Sequence, residues 1–201
     1  MTMSTGPQPV SLQVAAPQGA RDKASVALRL IFAIPPIIVL YIYSLIAMVF
    51  AIISWFQIIL GGTMSKSAEA FIAKTVRYGA AVLAYLLLLT DRMPALDASD
   101  HPDVRVRIAP AAEQRDRLSV GLRLIYIIPH AIIVGVLMDV AYVIAFIAWL
   151  MILFAGGYPQ GVWDFSVGTL RWYTRYAAYA FLLTDIYPPF SLEEGQVAAA
   201  A

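Results

Sequence analysis

The sequence contains two related copies of one unit, and this internal repeat constrains the fold more than any other feature. After a shift of 94 residues, segment 21–94 aligns with segment 115–188 without a gap, and 28 of the 74 aligned positions are identical. The matches include charged residues and the pair Trp55 and Trp149, which shared apolar composition would not produce. The sequence therefore predicts two structurally equivalent units.

The repeat extends to a short segment that precedes each apolar region. The same shift aligns residues 10–14 with residues 104–108, and both segments alternate apolar and polar residues as a strand does. We expect the two strands to pair as a small β-ribbon on the cytoplasmic membrane surface. The predicted organisation is a disordered tail (1–9), repeat 1 (10–94), a linker (95–103), repeat 2 (104–188) and a C-terminal tail (189–201).

Composition indicates that a bilayer forms part of the solvent of this chain. Of its residues, 61% are hydrophobic and only 13% are charged, and the mean hydropathy is +0.75. The formal net charge of +1 gives no electrostatic basis for binding nucleic acid. The absence of cysteine excludes disulfides, thiolate nucleophiles and iron–sulfur clusters. We predict an all-α membrane protein.

The apolar regions are long enough for membrane helices. The run from Leu28 to Leu60 would be about 50 Å long as a helix, against a hydrocarbon core of about 30 Å. We expect Pro35 and Pro36 to end an interfacial helix, and Pro129 to do the same in the second copy. Four transmembrane helices are then expected, over residues 36–60, 67–90, 130–155 and 161–184.

Charge placement predicts the orientation of these helices. Arginine and lysine residues are frequent before the first helix and between the second and third helices, whereas the hairpin loops contain only Lys66. The positive-inside rule then places both termini in the cytoplasm, in a multi-pass protein of the bacterial inner membrane. Because each unit crosses twice, we expect tandem parallel-repeat hairpins related by a pseudo-twofold axis along the membrane normal.

Three segments of the second copy carry a resemblance to a known family. They are Arg-Leu-Ile-Tyr-Ile-Ile-Pro-His (123–130), Gly-Tyr-Pro-Gln-Gly-Val-Trp-Asp-Phe (157–165) and Leu-Leu-Thr-Asp-Ile-Tyr-Pro-Pro-Phe-Ser-Leu (182–192). The chain resembles the bacterial membrane family catalogued as domain of unknown function 4389, in tandem copies. The first copy departs from this pattern, with Pro36 where the second has His130. The resemblance implies a membrane architecture and brings no established activity.

Four charged residues flank the predicted hairpins at equivalent positions. Arg29 and Asp91 lie at the same end of the first hairpin, and Arg123 and Asp185 repeat this placement in the second. We expect two ion pairs within the repeats. They would either clamp each hairpin or leave the arginines to contact lipid headgroups.

Four further charges lie inside the predicted helices and form a candidate intramembrane polar site. Asp139 and Arg175 are at matching depths, which indicates a pair that serves either a structural role or a proton or ion relay. Arg77 and Arg171 occur in both copies, and either extend toward the interface or line a polar cavity for an anionic group.

The sequence offers no catalytic residues and no metal-ligand cluster. No nucleophile and base, paired carboxylates or clustered histidines occur at productive spacing, so we expect no enzymatic activity, no metal and no cofactor. The first hypothesis is a non-enzymatic scaffold, accessory subunit or lipid-organising protein that contacts membrane lipids. It would be a homo-oligomer or a subunit of a larger complex. The alternative is a small oligomeric transporter or channel whose path the intramembrane arginine and aspartate residues line.

Overall fold

The computed structural model describes residues 8–16 and 21–194. The predicted terminal tails fall largely outside these residues, at 1–7 and 195–201. The described chain is mostly helical, and the elements follow the same order in both copies. In the first copy they are β1 (Val10–Val14), α1 (Lys23–Ala27), α2 (Arg29–Gly61) and α3 (Lys66–Leu86). In the second they are β2 (Val104–Ile108), α4 (Arg117–Tyr126), α5 (Ile128–Ala155) and α6 (Gln160–Ala180).

The helix ends show why each copy folds as a hairpin. Asp22 and Asp116 cap α1 and α4, where their carboxylates accept hydrogen bonds from backbone N–H groups of the first turn. The long helices α2 and α5 end at Gly62 and Gly156, whose φ angles are 77° and 75°. Glycine adopts this left-handed conformation at little cost, and the chain reverses there into α3 and α6.

The break in the first long helix does not lie at the expected prolines. In the second copy the helix breaks at Ile127, two residues before Pro129, so α5 begins close to the expected position. In the first copy it breaks at Leu28, and α2 continues through Pro35 and Pro36. The two breaks are not equivalent under the repeat, because Leu28 corresponds to Leu122 within α4, and only the second break lies close to a proline.

The two strands pair as expected, and their register reveals the symmetry of the molecule. β1 and β2 are antiparallel, with Leu12 opposite Val106. These two residues are themselves equivalent under the repeat. A twofold axis therefore passes through the centre of the ribbon and relates the two copies.

The two hairpins run in opposite directions, which corrects the expected parallel arrangement. The Tyr158 hydroxyl, just before α6, donates to the carbonyl of Leu87 at the end of α3, at 3.3 Å. The Arg115 N–H donates to the Gly62 carbonyl, which places the start of the second copy at the hairpin turn of the first. The pseudo-twofold axis is therefore perpendicular to α3 and α6. The antiparallel ribbon imposes this relation because it forces equivalent segments to face each other head to tail.

The core lies around α3 and α6, which form the middle layer. Six consecutive residues of α3, from Ala80 to Tyr85, are buried, so neighbours cover this part of the helix on every side. The ribbon packs on α3 and α6, while α2 packs on α3 and α5 packs on α6. Leu12 of the ribbon, Ala84 of α3 and Leu170 of α6 belong to one apolar cluster.

Candidate functional site

Each copy contains a buried arginine that joins the start of its long helix to the end of its second helix. In the first copy, an Arg29 Nη2 donates to Asp91 Oδ1 at 2.6 Å, and Nη1 donates to the carbonyls of Tyr85 and Thr90. The guanidinium also lies over the Tyr85 ring, at 4.6 Å from its centroid. The arginine thus supplies donors to one carbonyl in the last turn of α3 and to one in the segment that follows, where the regular pattern of helical hydrogen bonds ends.

The second copy repeats this arrangement. Arg123 donates to Asp185 at 2.7 Å and to the carbonyls of Tyr179 and Thr184, and it lies over the Tyr179 ring. The structure therefore brings together both of the pairs expected within the repeats. The side chains of Arg29 and Arg123 are only 2% exposed, so these groups have almost no surface to offer a lipid headgroup.

A second arginine reaches the same aspartate in each copy. Arg115 donates to Asp185 at 3.1 Å and to the carbonyl of Leu182. Arg21 donates to the carbonyl of Leu88 and lies 3.6 Å from Asp91. Burial lowers the pKa of the Arg21 guanidinium from its ordinary value, and the charge of Asp91 opposes that change.

Two tryptophans connect the copies across the pseudo-twofold axis. The Trp55 indole N–H donates to the Val120 carbonyl of α4 at 3.1 Å, and the equivalent Trp149 donates to the Val26 carbonyl of α1 at 2.8 Å. Each indole thus joins the end of one long helix to the short first helix of the other copy. These residues are part of the interface between the copies.

The structure does not bring Asp139 and Arg175 together, so the expected pair is wrong. An Arg175 Nη2 donates instead to the carbonyls of Ser191 and Glu193, at 2.7 and 3.1 Å, and its side chain is buried. Asp139 is exposed on α5, beside the stripe of that helix that faces the core. The physical reason is that backbone carbonyls of the C-terminal segment satisfy the guanidinium, and sequence spacing gives no sign of such acceptors.

Arg77 and Arg171 lie on the ribbon side of α3 and α6. Arg171 Nε donates to the Leu12 carbonyl of β1 at 3.1 Å, and its Nη2 lies 3.2 Å from Glu194. Arg77 lines two cavities beside the ribbon. The residues that the structure describes give the Arg77 guanidinium no hydrogen bond or ion pair.

An aromatic cluster around His130 was missed by sequence reasoning. His130 is fully buried, and its Nδ1 accepts a hydrogen bond from the Trp172 indole at 2.9 Å. Its ring stacks on Phe190, with centroids 4.1 Å apart, and meets Tyr187 edge to face. The available signal was that His130, Tyr187 and Phe190 have no aromatic equivalent in the first copy, whereas Trp172 corresponds to an aromatic residue there. The first copy has Pro36, Tyr78, Met93 and Leu96 at the equivalent positions.

The titratable side chains within residues 8–16 and 21–194 form no cluster of histidine and carboxylate ligands that could hold a metal ion. The buried arginines and Arg171 instead bind helix ends, the ribbon, the C-terminal segment or acidic side chains. Two helices, Arg29–Gly61 and Ile128–Phe154, are long and apolar enough to cross a membrane by length and composition.

Fold and site together define an internally duplicated, mostly helical protein with two such apolar helices. Each copy contains one arginine clamp, which is the buried pair of Arg29 and Asp91 in the first copy and of Arg123 and Asp185 in the second. The chain belongs to the family described as Domain of unknown function (DUF4389), whose pattern matches residues 23–96 and again residues 117–191. Each match covers one hairpin from its first short helix to the segment after its clamp aspartate. No curated protein and no solved structure gives a significant match.

Proposed function

We propose that this chain is a non-enzymatic membrane protein, a scaffold or lipid-organising component, whose helices α2 and α5 are immersed in the bilayer. The observation that carries this proposal is the outward surface of the two long helices. Only 17% and 28% of their most apolar windows are buried. The large exposed side chains of α2 and α5 are almost all apolar, over the full length of both helices. Water does not favour such surfaces on a monomer, and lipid does.

Four spanning helices fit this geometry poorly. The chain leaves α3 at Leu87 and reaches Arg115 beside Gly62, at the opposite end of the first hairpin. If the helices crossed the bilayer, the segment between them would cross it as well. That segment carries Arg92, Asp97, Asp100, Asp103, Arg105, Arg107 and Glu113. Each charge would cost several kcal/mol in hydrocarbon, where irregular backbone is also unfavourable.

An arrangement parallel to the membrane surface avoids this difficulty. The pseudo-twofold axis then lies along the membrane normal. The ribbon lies at one end of this axis, the polar pole of the molecule, and α2 and α5 lie at the other end, the apolar pole. A layer of helices about 10 Å thick fits within one leaflet of a hydrocarbon core of about 30 Å. Arg105 and Arg107 are exposed on the ribbon, which favours a cytoplasmic position for that pole.

The transporter alternative gains no support from a specific observation. Its four candidate residues do not converge on one path, since Asp139 is exposed on α5, Arg175 binds backbone carbonyls and Arg171 binds the ribbon. A scaffold or lipid-organising role requires no such path.

The absence of native cysteine allows a direct test of the orientation. Single-cysteine variants at Ser65, Gln160 and Gln13 report on which side of the membrane the two hairpin turns and the ribbon lie. All three positions are exposed. We expect a membrane-impermeant maleimide to label all three from the same side of sealed inverted vesicles. Four spans with the hairpins in parallel would place Ser65 and Gln160 together on the side opposite Gln13. Antiparallel spans would place Ser65 and Gln160 on opposite sides.

Native mass spectrometry of the protein extracted from its own membrane tests the role itself. Copurifying lipids with a single chain or a homo-oligomer would support the lipid-organising role. A stable complex with other polypeptides would support the scaffold or accessory-subunit role. An ion flux through purified, reconstituted protein would contradict both and favour the transporter.

A further inference from the structure

A large cavity lies on the ribbon side of the first copy. It has a volume of about 590 Å³ and opens between the N-terminal half of α3, the hairpin turn before it and residues 108–113. Ligand pockets for small molecules commonly measure about 300–1,000 Å³. The cavity is therefore large enough for a group of the size of a phospholipid headgroup.

The charges that line this cavity leave one cation without a partner. Arg115 is bonded to Asp185 and lies 3.9 Å from Glu69, and Lys66 lies 3.7 Å from Glu113. Arg77 is partly buried in the cavity wall, and no described residue lies within ion-pair distance of it. A planar guanidinium in such a position presents a fork of donors suited to a phosphate group.

The second copy differs from the first at positions that line this cavity. At the positions of Glu69 and Ala73 the second copy has Trp163 and Val167, which belong to the apolar core around α6. Its arginine, Arg171, is held by the ribbon and by Glu194. The second copy therefore has larger apolar side chains at two of these positions and binds its arginine, whereas the described residues of the first copy provide Arg77 with no such partner.

We propose that this cavity binds an organic phosphate, with Arg77 as the group that contacts the phosphate oxygens. The carboxylates of Glu69 and Glu113 also line it and are placed to accept hydrogen bonds from hydroxyl or amino groups that the phosphate carries. Two sources have this chemistry: the headgroup of a phospholipid and a soluble phosphate ester. The inference concerns the polar pole of the molecule and stands whichever way the helices lie in the membrane.

The first experiment is calorimetric titration of the full chain in detergent with glycerol phosphate. The second is native mass spectrometry after extraction from nanodiscs of phosphatidylglycerol or phosphatidylcholine. Arg77→Gln should weaken binding about tenfold or more, because it removes a charged pair of donors. Ala73→Val introduces the residue that the second copy has at this position, and should weaken binding by filling the cavity. Arg107→Gln makes the same charge change outside the cavity and should leave binding unchanged.

The calorimetric and the mass-spectrometric experiments together distinguish a soluble phosphate ester from a phospholipid headgroup. Saturable binding of glycerol phosphate that depends on Arg77 supports a soluble ester, and retained phosphatidylglycerol with the same dependence supports a lipid headgroup. Wild-type protein that binds neither probe would overturn the inference. So would binding that survives both Arg77→Gln and Ala73→Val. Side-specific labelling of Ser65, Gln160 and Gln13 is a separate readout, so the membrane proposal can fail without affecting this one.

Discussion

At the residue scale, the buried arginines include two whose partners the sequence predicted and one whose partners it could not predict. Arg29 and Arg123 recur with Asp91 and Asp185 at equivalent ends of the predicted hairpins, so two copies supported the same pairing. Arg175 occurs in one copy and binds the carbonyls of residues 191 and 193. Every residue has a carbonyl, so no pattern of side chains could identify those acceptors.

The second clamp gives a prediction for stability. Arg123→Gln should lower the free energy of unfolding by about 2–4 kcal/mol, because Asp185 and the two carbonyls lose a charged donor in a buried setting. Reversible unfolding in a fixed detergent mixture measures this change. Arg107→Gln, at an exposed position, should shift the same quantity by no more than about 0.5 kcal/mol. Similar losses in both variants would contradict a structural role for the clamp.

The hairpin turn of the second copy gives a second prediction for stability. Gly156 has a φ of 75°, and a methyl group added there would meet no atom within 4 Å, so Gly156→Ala tests backbone strain alone. We expect a loss of about 1 kcal/mol in the free energy of unfolding. The adjacent Gly157 has equal space and no left-handed φ, so Gly157→Ala should be close to neutral. If Gly157→Ala is the more destabilising of the two, the assigned helix end is wrong.

At the element scale, the sequence predicted the strands and helices better than it predicted their ends. α3 and α6 were expected to continue to Thr90 and Thr184 and end four residues earlier, at Leu86 and Ala180. The chain turns there because Leu88 and Leu182 adopt left-handed φ angles of 61° and 66°. Leucine is unfavourable in that conformation, so nothing in the sequence indicated a turn. Both leucines are buried in the core, which indicates that packing maintains the turn.

The ribbon register can be tested by a disulfide. Gln13 and Arg105 are directly opposite each other and are both exposed, so a double cysteine variant at these positions should oxidise readily. In a variant with cysteines at Gln13 and Arg107, the two positions are two residues out of register. Such diagonal neighbours are about 7–8 Å apart, so this variant should not form a disulfide. Each variant is oxidised and then cleaved specifically between the two strands, and its gel mobility shows whether the two fragments remain joined by a disulfide. A disulfide only in the second variant would contradict the register and the symmetry drawn from it.

At the scale of the whole molecule, the twofold axis decides how the apolar helices can meet a membrane. α2 and α5 carry most of the exposed apolar surface, and they pack on α3 and α6 from outside. With the axis along the membrane normal, both helices face the same leaflet. The duplicated unit then forms a symmetric platform with one polar pole and one apolar pole.

This arrangement predicts the depth of positions along α2. Ile38, Leu45 and Ile52 lie on one exposed face at intervals of seven residues. Spin labels there should report the same depth in the bilayer if α2 lies parallel to the surface. A spanning helix would separate the first and last labels by about 21 Å along the helix axis. Collision rates with oxygen and with a polar nickel complex measure depth, and a steady gradient from Ile38 to Ile52 would contradict the proposed arrangement.

The sequence by itself determined the duplication, the elements of each unit, the pairing of the strands and the arginine clamps, because these depend on local pattern repeated in two copies. The tertiary structure alone decided that the hairpins run antiparallel, that Arg175 binds the C-terminal segment and that Arg77 lines a cavity. These features depend on which surfaces meet after the chain has closed. An antiparallel and a parallel pair of hairpins have the same hydropathy profile, and only the contacts between the copies distinguish them.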